Sequence, residues 1–111
     1  MSVIKEVAIE RQRQINEEGF GERHDDFQHP KRELSLAAIC YAAPEHIYVL
    51  RTTPAHHSFQ DPWPWHRKWD KRDQHDTRRS LVIAAALLVA EIERIDREKS
   101  ESQTDVSEGT A

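Results

Sequence analysis

Cysteine and glycine are scarce in this 111-residue chain, which has one cysteine and three glycines. The single cysteine, Cys40, excludes an intrachain disulfide and a zinc site built from several thiolates. No apolar run reaches the length of about 20 residues that crosses a bilayer, and residues 1–6 lack the apolar core of a signal peptide. We therefore expect a cytoplasmic protein that has no part in a membrane.

Positive charge is also in short supply, because Lys and Arg number 16 against 20 for Asp and Glu. The net charge of −4 disfavours binding of the whole chain to nucleic acid. The charged fraction of 32% against a hydrophobic fraction of 37% suits a small helical protein with wide solvated faces, or one that buries more surface in an oligomer. A chain of this length forms one domain of modest stability. Because residues 76–98 carry apolar residues beyond one narrow helical stripe, and few other segments could cover them, we expect a homo-oligomer.

Apolar residues recur at helical spacing in three segments, and this predicts an all-α fold. The bundle would have three main helices, near 3–18, 31–43 and 76–98. A single helical domain would cover residues 1–98, and the Ser/Thr/Glu-rich tail over 99–111 would be disordered. The residues that flank the three segments are those that begin and end helices: Ser2, Pro30 and Asp76 or Thr77 at the N-terminal ends, and Gly19 and Pro44 at the C-terminal ends.

The apolar stripes of the second and third helices predict the core. In the third helix the stripe repeats at intervals of three and four, and its residues should be among the most buried. The two stripes are Leu34, Ala37, Ala38 and Tyr41 in the second helix, and Leu81, Ala85, Leu88, Ile92 and Ile95 in the third.

A long loop joins the second and third helices, from Pro44 to Arg72, and is rich in Trp, Pro and His. It holds all three tryptophans, Trp63, Trp65 and Trp69, and long loops of this kind are usually functional or disordered. Disordered linkers are poor in aromatics, so we interpret the segment as a folded loop over the helical core. Residues 47–50 are β-prone but too few to form a sheet alone.

Carboxylates suggest a metal site. Asp25 and Asp26 are adjacent and would repel each other unless a cation neutralises them. Together with Glu33, and with Glu91 at the border of the third stripe, they could supply the oxygen ligands that Mg²⁺ or Mn²⁺ prefers. The alternatives are a solvated acidic turn for the aspartates and an ion pair with a neighbouring arginine for Glu91. No residue is assigned a catalytic role.

Basic residues near the start of the third helix suggest a phosphate site. Arg78 and Arg79 lie in the first helical turn, where the helix dipole disfavours cations. A bound phosphate would remove this conflict, since arginines and helix N-termini both attract it. The predicted nucleotide-binding residues are Trp65, Trp69, Lys71, Arg72, Arg78 and Arg79. The alternative is that the tryptophans only pack and that Asp73 and Asp76 pair with the arginines.

Several short runs across most of residues 6–97 resemble those of a group of small phage and prophage proteins, mostly without an assigned activity. These runs are Glu10-Arg11-Gln12-Arg13-Gln14, Glu18-Gly19-Phe20, His24-Asp25-Asp26, Glu33-Leu34, Ala37-Ala38, Tyr41-Ala42, Asp61-Pro62-Trp63-Pro64-Trp65, Arg78-Arg79, Leu81-Val82 and the run from Ala90 to Arg97. The resemblance implies a phage context.

A more distant similarity is to the all-α nucleotide pyrophosphohydrolases of the MazG type. Those proteins are helical, usually oligomeric, and hold Mg²⁺ through a Glu-x-x-Glu pair followed by a Glu-x-x-Asp pair. Glu93 and Asp96 match the second pair, whereas the first pair is missing where the family has it, and Glu22-x-x-Asp25 differs from its usual form. The similarity implies a helical, metal-dependent hydrolase.

Three functions fit these patterns. The first is a metal-dependent nucleoside-phosphate hydrolase that acts on a nucleotide or another phosphorylated small molecule. The second is a non-enzymatic phage accessory protein that binds a nucleotide or a host protein, for example to counter host defence. The third is a structural helical oligomer without a ligand. Hydrolysis requires at least three converging carboxylates, whereas binding requires only the aromatic and basic groups.

Overall fold

The computed structural model describes residues 2–18 and 32–110, with side chains up to residue 100. The described part is mostly helical and includes one antiparallel two-stranded sheet, so the purely all-α prediction is wrong. The helices and strands are α1 (Val3–Glu18), α2 (Glu33–Ala42), β1 (Val49–Thr53), β2 (His56–Gln60) and α3 (Thr77–Thr110), with short 3₁₀ turns at Arg67–Trp69 and Arg72–Gln74.

The helix ends follow their local sequence. The Ser2 hydroxyl accepts a hydrogen bond from the Lys5 backbone N–H at 3.1 Å, as predicted for an N-cap. Helix α2 ends at Ala42, and Ala43 is extended with ψ 136° because the following proline disfavours helical backbone. Helix α2 begins at Glu33, two residues later than predicted, after Arg32 in the left-handed region with φ 69°. The predicted boundary residues Gly19 and Pro30 lie outside the described residues.

The β-hairpin occupies the middle of the predicted loop. Its strands pair with Leu50 opposite Phe59, and the turn is Pro54–Ala55. The β-prone residues near Leu50 do not form the sheet alone, because residues 56–60 supply the second strand, which was not predicted. The hairpin projects into solvent, and the side chains of Leu50 and Phe59 are exposed.

Helix α3 is central and packs against both α1 and α2. The predicted stripe of α2 is confirmed as buried, and it packs against the inner face of α3. Small residues on both helices let their backbones approach closely. The buried residues of this contact are Leu34, Ala37, Ala38 and Tyr41 on α2, and Ile83, Ala84, Leu87 and Ala90 on α3.

The predicted core stripe of α3 is wrong. Leu81, Leu88 and Ile92 are 48%, 45% and 58% exposed, and Ala85 is half-buried. The helix carries apolar residues on two opposite faces, and the face with more alanine is the one that packs. Close helix packing favours the face whose alanines let α2 approach, and Ile83 and Leu87 pack between these alanines.

Helix α3 continues to Thr110, across residues 99–111 that were predicted to be a disordered tail. Its first half is nucleated by packing, and each further residue then adds one backbone hydrogen bond, so a helix can extend beyond its packed part. In the described part of the chain, no helix has the length and apolar character that a membrane crossing requires.

Candidate ligand-binding site

The tryptophan segment is held by its own turns and by the core. The Asp61 carboxylate accepts a hydrogen bond from the Trp63 backbone N–H at 2.9 Å. The Trp63 ring meets Tyr41 edge-on with centroids 5.8 Å apart, and meets Trp65 edge-on at 5.4 Å. The Trp63 and Trp65 rings are half-buried against the α2–α3 core, whereas Trp69 is 45% exposed. The segment is therefore folded against the helical core, as the aromatic content predicted. We call residues 61–72 the tryptophan wall.

Arg72 is the centre of this wall. Its side chain is only 7% exposed, and its guanidinium lies 5.4 Å from the centre of the Trp63 ring. Arg72 Nε donates to Asp70 at 2.8 Å, and Nη2 donates to Asp61 at 2.9 Å. The hydrogen bond from Arg72 is the main cause that lowers the pKa of Asp70 below 3.8. Both aspartates are therefore ionised at neutral pH, and they fix the orientation of the guanidinium.

One nitrogen of Arg72 takes no part in these hydrogen bonds. Its Nη1 is buried and has no hydrogen-bond partner among the residues that the structure describes. A buried N–H group without a partner costs about 1–3 kcal/mol, and a guanidinium matches the geometry of phosphate and carboxylate oxygens. The position of Nη1 therefore favours an anionic or carbonyl oxygen as a ligand.

Two depressions meet at Arg72, and His46 and Asp73 also line both. We call the first the aromatic groove, and its volume is about 530 Å³. We call the second the α3-end cavity, and its volume is about 170 Å³. The remaining groove residues are Tyr48, Asp61, Trp63, Trp65, Arg67 and Asp70, and the cavity extends between residues 40–45 and residues 75, 77, 80 and 81.

The α3-end cavity lies beside the N-terminus of α3. Asp76 caps this end, because its carboxylate accepts the Arg79 backbone N–H at 2.7 Å. Thr77 and Ser80, in the first turn, line the cavity together with His75. The free N–H groups at a helix N-terminus attract anions. A cavity that combines such an end with the Arg72 side chain suits a phosphate.

A third, smaller space lies between α1 and the tryptophan wall. It offers about 30 Å³, which is room for about two waters. Gln14 lines it and is 1% exposed, and its Oε1 has no partner among the described residues while its Nε2 donates to Glu10 at 3.1 Å. Two predicted ligand residues, Trp69 and Lys71, line this space and not the groove.

The other two predicted phosphate ligands, Arg78 and Arg79, are engaged by α1. Arg78 makes a two-pronged pair with Glu6 at 2.8 and 3.0 Å, and Arg79 pairs with Glu10. Burial is the largest influence on Glu10 and raises its pKa, but the bonds and charges of Arg13 and Arg79 hold that pKa below 4.5. Glutamates on α1 thus resolve the conflict between the arginines and the helix dipole.

The predicted metal ligands fall into two groups. Asp25 and Asp26 lie outside the described residues. Glu33 lies in the first turn of α2, and Glu91 contacts Ser35 in the same turn. The structure therefore brings Glu33 and Glu91 to one end of α2. Within residues 2–18 and 32–100, no group of three or more His, Cys, Asp or Glu could hold a metal ion.

Glu91 joins α2 to α3. It is 2% exposed; Oε1 accepts Arg94 Nε at 2.7 Å, and Oε2 accepts the Ser35 backbone N–H at 3.2 Å and the Ser35 hydroxyl at 2.9 Å. It thereby caps α2, whose N-cap Arg32 makes no side-chain cap. Burial, the largest influence, raises the pKa of Glu91, yet Arg94 and Ser35 keep it below 4.5. Both oxygens are in use, so the ion-pair alternative accounts for Glu91 in this geometry.

Several residues that line the groove were not predicted from the sequence. Tyr48 and His46 come from the segment between α2 and the hairpin, and Asp61 and Asp70 bind Arg72. The placement of aspartates two residues before Arg72 and two before Trp63 was a usable signal, because an aspartate often accepts a backbone N–H two residues later. Nothing in the sequence links Gln14 to the tryptophans.

Comparisons of the chain with protein-family models, with curated proteins and with solved structures found no match.

Proposed function

We propose that this protein binds a nucleoside phosphate, with the base in the aromatic groove and the phosphate at Arg72 and the N-terminus of α3. The observation that carries the proposal is Arg72 Nη1, a buried cationic donor without a partner in the described part of the chain. The Arg72 side chain lines both the groove and the cavity, and its guanidinium lies over the Trp63 ring. A ligand with an aromatic and an anionic part fits this junction.

The aromatic part of the ligand is the base. Tyr48 is 60% exposed, and Trp63 and Trp65 line the same groove. Stacking of a base on an aromatic side chain contributes about 1–3 kcal/mol and tolerates different bases. The groove volume of about 530 Å³ has room for a base and a sugar.

The anionic part of the ligand is the phosphate. Arg72 is held by Asp61 and Asp70, so its fork is preorganised and loses little freedom when it binds. The first turn of α3 adds N–H groups and the hydroxyls of Thr77 and Ser80. A phosphate at this place satisfies the buried Nη1, which otherwise has no acceptor among the described residues.

A titration with ATP, GTP, CTP and UTP tests this proposal. We expect binding by calorimetry, and quenching of the tryptophans, all of which lie in this segment. Arg72→Lys keeps the charge but loses the fork, and should weaken binding tenfold or more, about 1.4 kcal/mol. Arg78→Ala is the matched control: it removes an arginine that is bound to Glu6, and should leave affinity unchanged.

Circular dichroism must show that Arg72→Lys is folded. Equal affinities for wild type and folded Arg72→Lys would contradict the assignment of Arg72. Absence of binding for all four nucleotides would contradict the proposal as a whole. Loss of binding in Arg78→Ala would instead favour a phosphate site at Arg78 and Arg79, as predicted from the sequence.

Metal-dependent hydrolysis is a second candidate function. One observation favours it: Glu33 and Glu91 share one end of α2. Asp25 and Asp26 precede that end by several residues in the sequence. We keep Asp25, Asp26 and Glu33 as proposed ligands for Mg²⁺ or Mn²⁺. Glu91 would have to exchange its bonds to Arg94 and Ser35 before it could join them.

Thermal unfolding and phosphate release test the metal. We expect Mg²⁺ or Mn²⁺ with nucleotide to raise Tm and to release phosphate or pyrophosphate. Asp25→Asn should abolish both effects, and Glu17→Gln, which removes an exposed carboxylate on α1, should abolish neither. An unchanged Tm with both metals, with and without nucleotide, would remove the hydrolase. Nucleotide binding without metal dependence would favour the non-enzymatic accessory protein.

A further inference from the structure

Helix α3 carries a second apolar face that is turned away from α1 and α2. We call it the outer face, and it consists of Leu81, Leu88, Val89, Ile92 and Ile95. These side chains are between 37% and 58% exposed. Exposed apolar patches of several hundred Å² are rare on monomers and mark interaction surfaces. In the described part of the chain, nothing covers this face.

The spacing on the outer face indicates what covers it. Residues 81, 85, 88, 92 and 95 are separated alternately by four and three positions. This is the heptad pattern of a helix that packs against another helix along a narrow seam. Ala85, in the middle of the seam, is small enough to let a second helix approach closely.

We propose that the outer face pairs with the outer face of a second copy of this chain, with the two α3 helices antiparallel. Pairing centred between Leu88 and Ile92 places Leu88 of one copy against Ile92 of the partner subunit, and Ala85 against Ile95 of the partner subunit. Four of the five seam positions then meet an apolar position, and Leu81 meets the aliphatic stem of Lys99 of the partner subunit. The same residues pair twice, as a two-fold axis requires.

Charge determines the direction. The seam has a basic residue at each end: Arg78, whose side chain is 65% exposed, lies seven residues before Ala85, and the exposed Lys99 lies seven residues after Ile92. In a parallel pair Arg78 would face Arg78 of the partner subunit and Lys99 would face Lys99 of the partner subunit, and these like charges would repel each other. In the antiparallel pair neither residue faces its own copy, and the two helix dipoles are opposed as well.

The interface has room to extend beyond the seam. Val3 and Ile4, at the start of α1, are 58% and 80% exposed. They lie within one helical turn of Glu6, which binds Arg78 at the N-terminal end of the outer face. A stable dimer buries about 800 Å² on each partner, and the seam with these α1 residues offers apolar surface at both ends of the symmetric pair.

The mass in solution tests the dimer. Sedimentation or light scattering of wild type should give twice the chain mass of 13.0 kDa at 100 μM. Leu88→Glu should give the mass of one chain with an unchanged helical spectrum. Phe59→Glu is the matched control, since it places a glutamate at a 74% exposed apolar residue in the hairpin, and it should remain a dimer. A monomeric wild type, or a dimeric folded Leu88→Glu, overturns the proposal.

Cross-linking tests the direction and does not depend on Leu88→Glu being folded. In a Cys40→Ala background, a mixture of Ala85→Cys and Ile95→Cys should form an intermolecular disulfide under mild oxidation, because these two positions face each other across the pair. Neither variant should cross-link alone. Efficient cross-linking of Ile95→Cys alone would show a parallel pair, and no cross-linking of either variant, alone or mixed, would show that the face is not paired.

Discussion

Replacing Glu91 by alanine is expected to lower the free energy of unfolding by about 3–5 kcal/mol, the usual cost of removing one partner of a buried ion pair. The loss leaves the Arg94 guanidinium, 7% exposed, with only Glu98, and it leaves the Ser35 backbone N–H without its acceptor. Urea denaturation with Asp96→Ala as the exposed control measures the difference. A metal ligand with an uncompensated charge would behave in the opposite way, and its removal would stabilise the protein.

The pH dependence of Glu91→Gln gives an independent readout of the same carboxylate. The pKa of Glu91 is lower in the folded state than its ordinary 4.5. Its contribution is therefore present above about pH 4.5 and is lost as the pH falls through the folded pKa, because the unfolded chain binds the proton first. Glu91→Gln should consequently show a shallower loss of stability below pH 4.5 than wild type. An equal slope for both proteins would contradict the lowered pKa.

The helices could be predicted because their signals are local. Ser2 caps α1, Asp76 caps α3, and α2 ends two residues before Pro44, each through the chemistry of one or two residues. The hairpin could not be predicted with the same ease. Its turn, Pro54–Ala55, lacks the Asn-Gly or Asp-Gly pair that marks two-residue turns, and its strands include two histidines in place of apolar residues.

The face of α3 that packs could not be predicted, because hydrophobicity alone favours the wrong one. The outer face has leucine and isoleucine at regular spacing, whereas the inner face has several alanines and also Glu91 and Arg94. Glu91 and Arg94 are compatible with burial because they neutralise each other. A pattern of residue types contains no information about such pairing, and no information about whether a second copy covers the other face.

The surroundings of the candidate site residues could be predicted only in part. The rule that arginines in a first helical turn require an anion is sound, and the anions are Glu6 and Glu10, which lie about seventy residues away in sequence. Distance along the chain hides such partners from a local pattern. Arg72 and Trp65, in contrast, lie in the groove because the turns that position them are short and contain their own aspartates.

Leu87→Ala is expected to lower the free energy of unfolding by about 2–5 kcal/mol, whereas the neighbouring Leu88→Ala should have a small effect on the isolated chain. Leu87 is 2% exposed in the core, and its truncation leaves a cavity between α2 and α3. Leu88 is 45% exposed on the outer face, so truncation there removes few contacts within one chain. The two changes delete the same atoms one residue apart, so helix propensity cancels in the comparison.

Urea denaturation at two protein concentrations separates the contributions of core and interface. The cost of Leu87→Ala should be the same at 1 μM and at 100 μM, because it arises within one chain. The cost of Leu88→Ala should grow with concentration, because a dimer that binds only folded chains stabilises the native state by mass action. A large cost for Leu88→Ala that is independent of concentration, with a small cost for Leu87→Ala, would show that the inner and outer faces of α3 are exchanged.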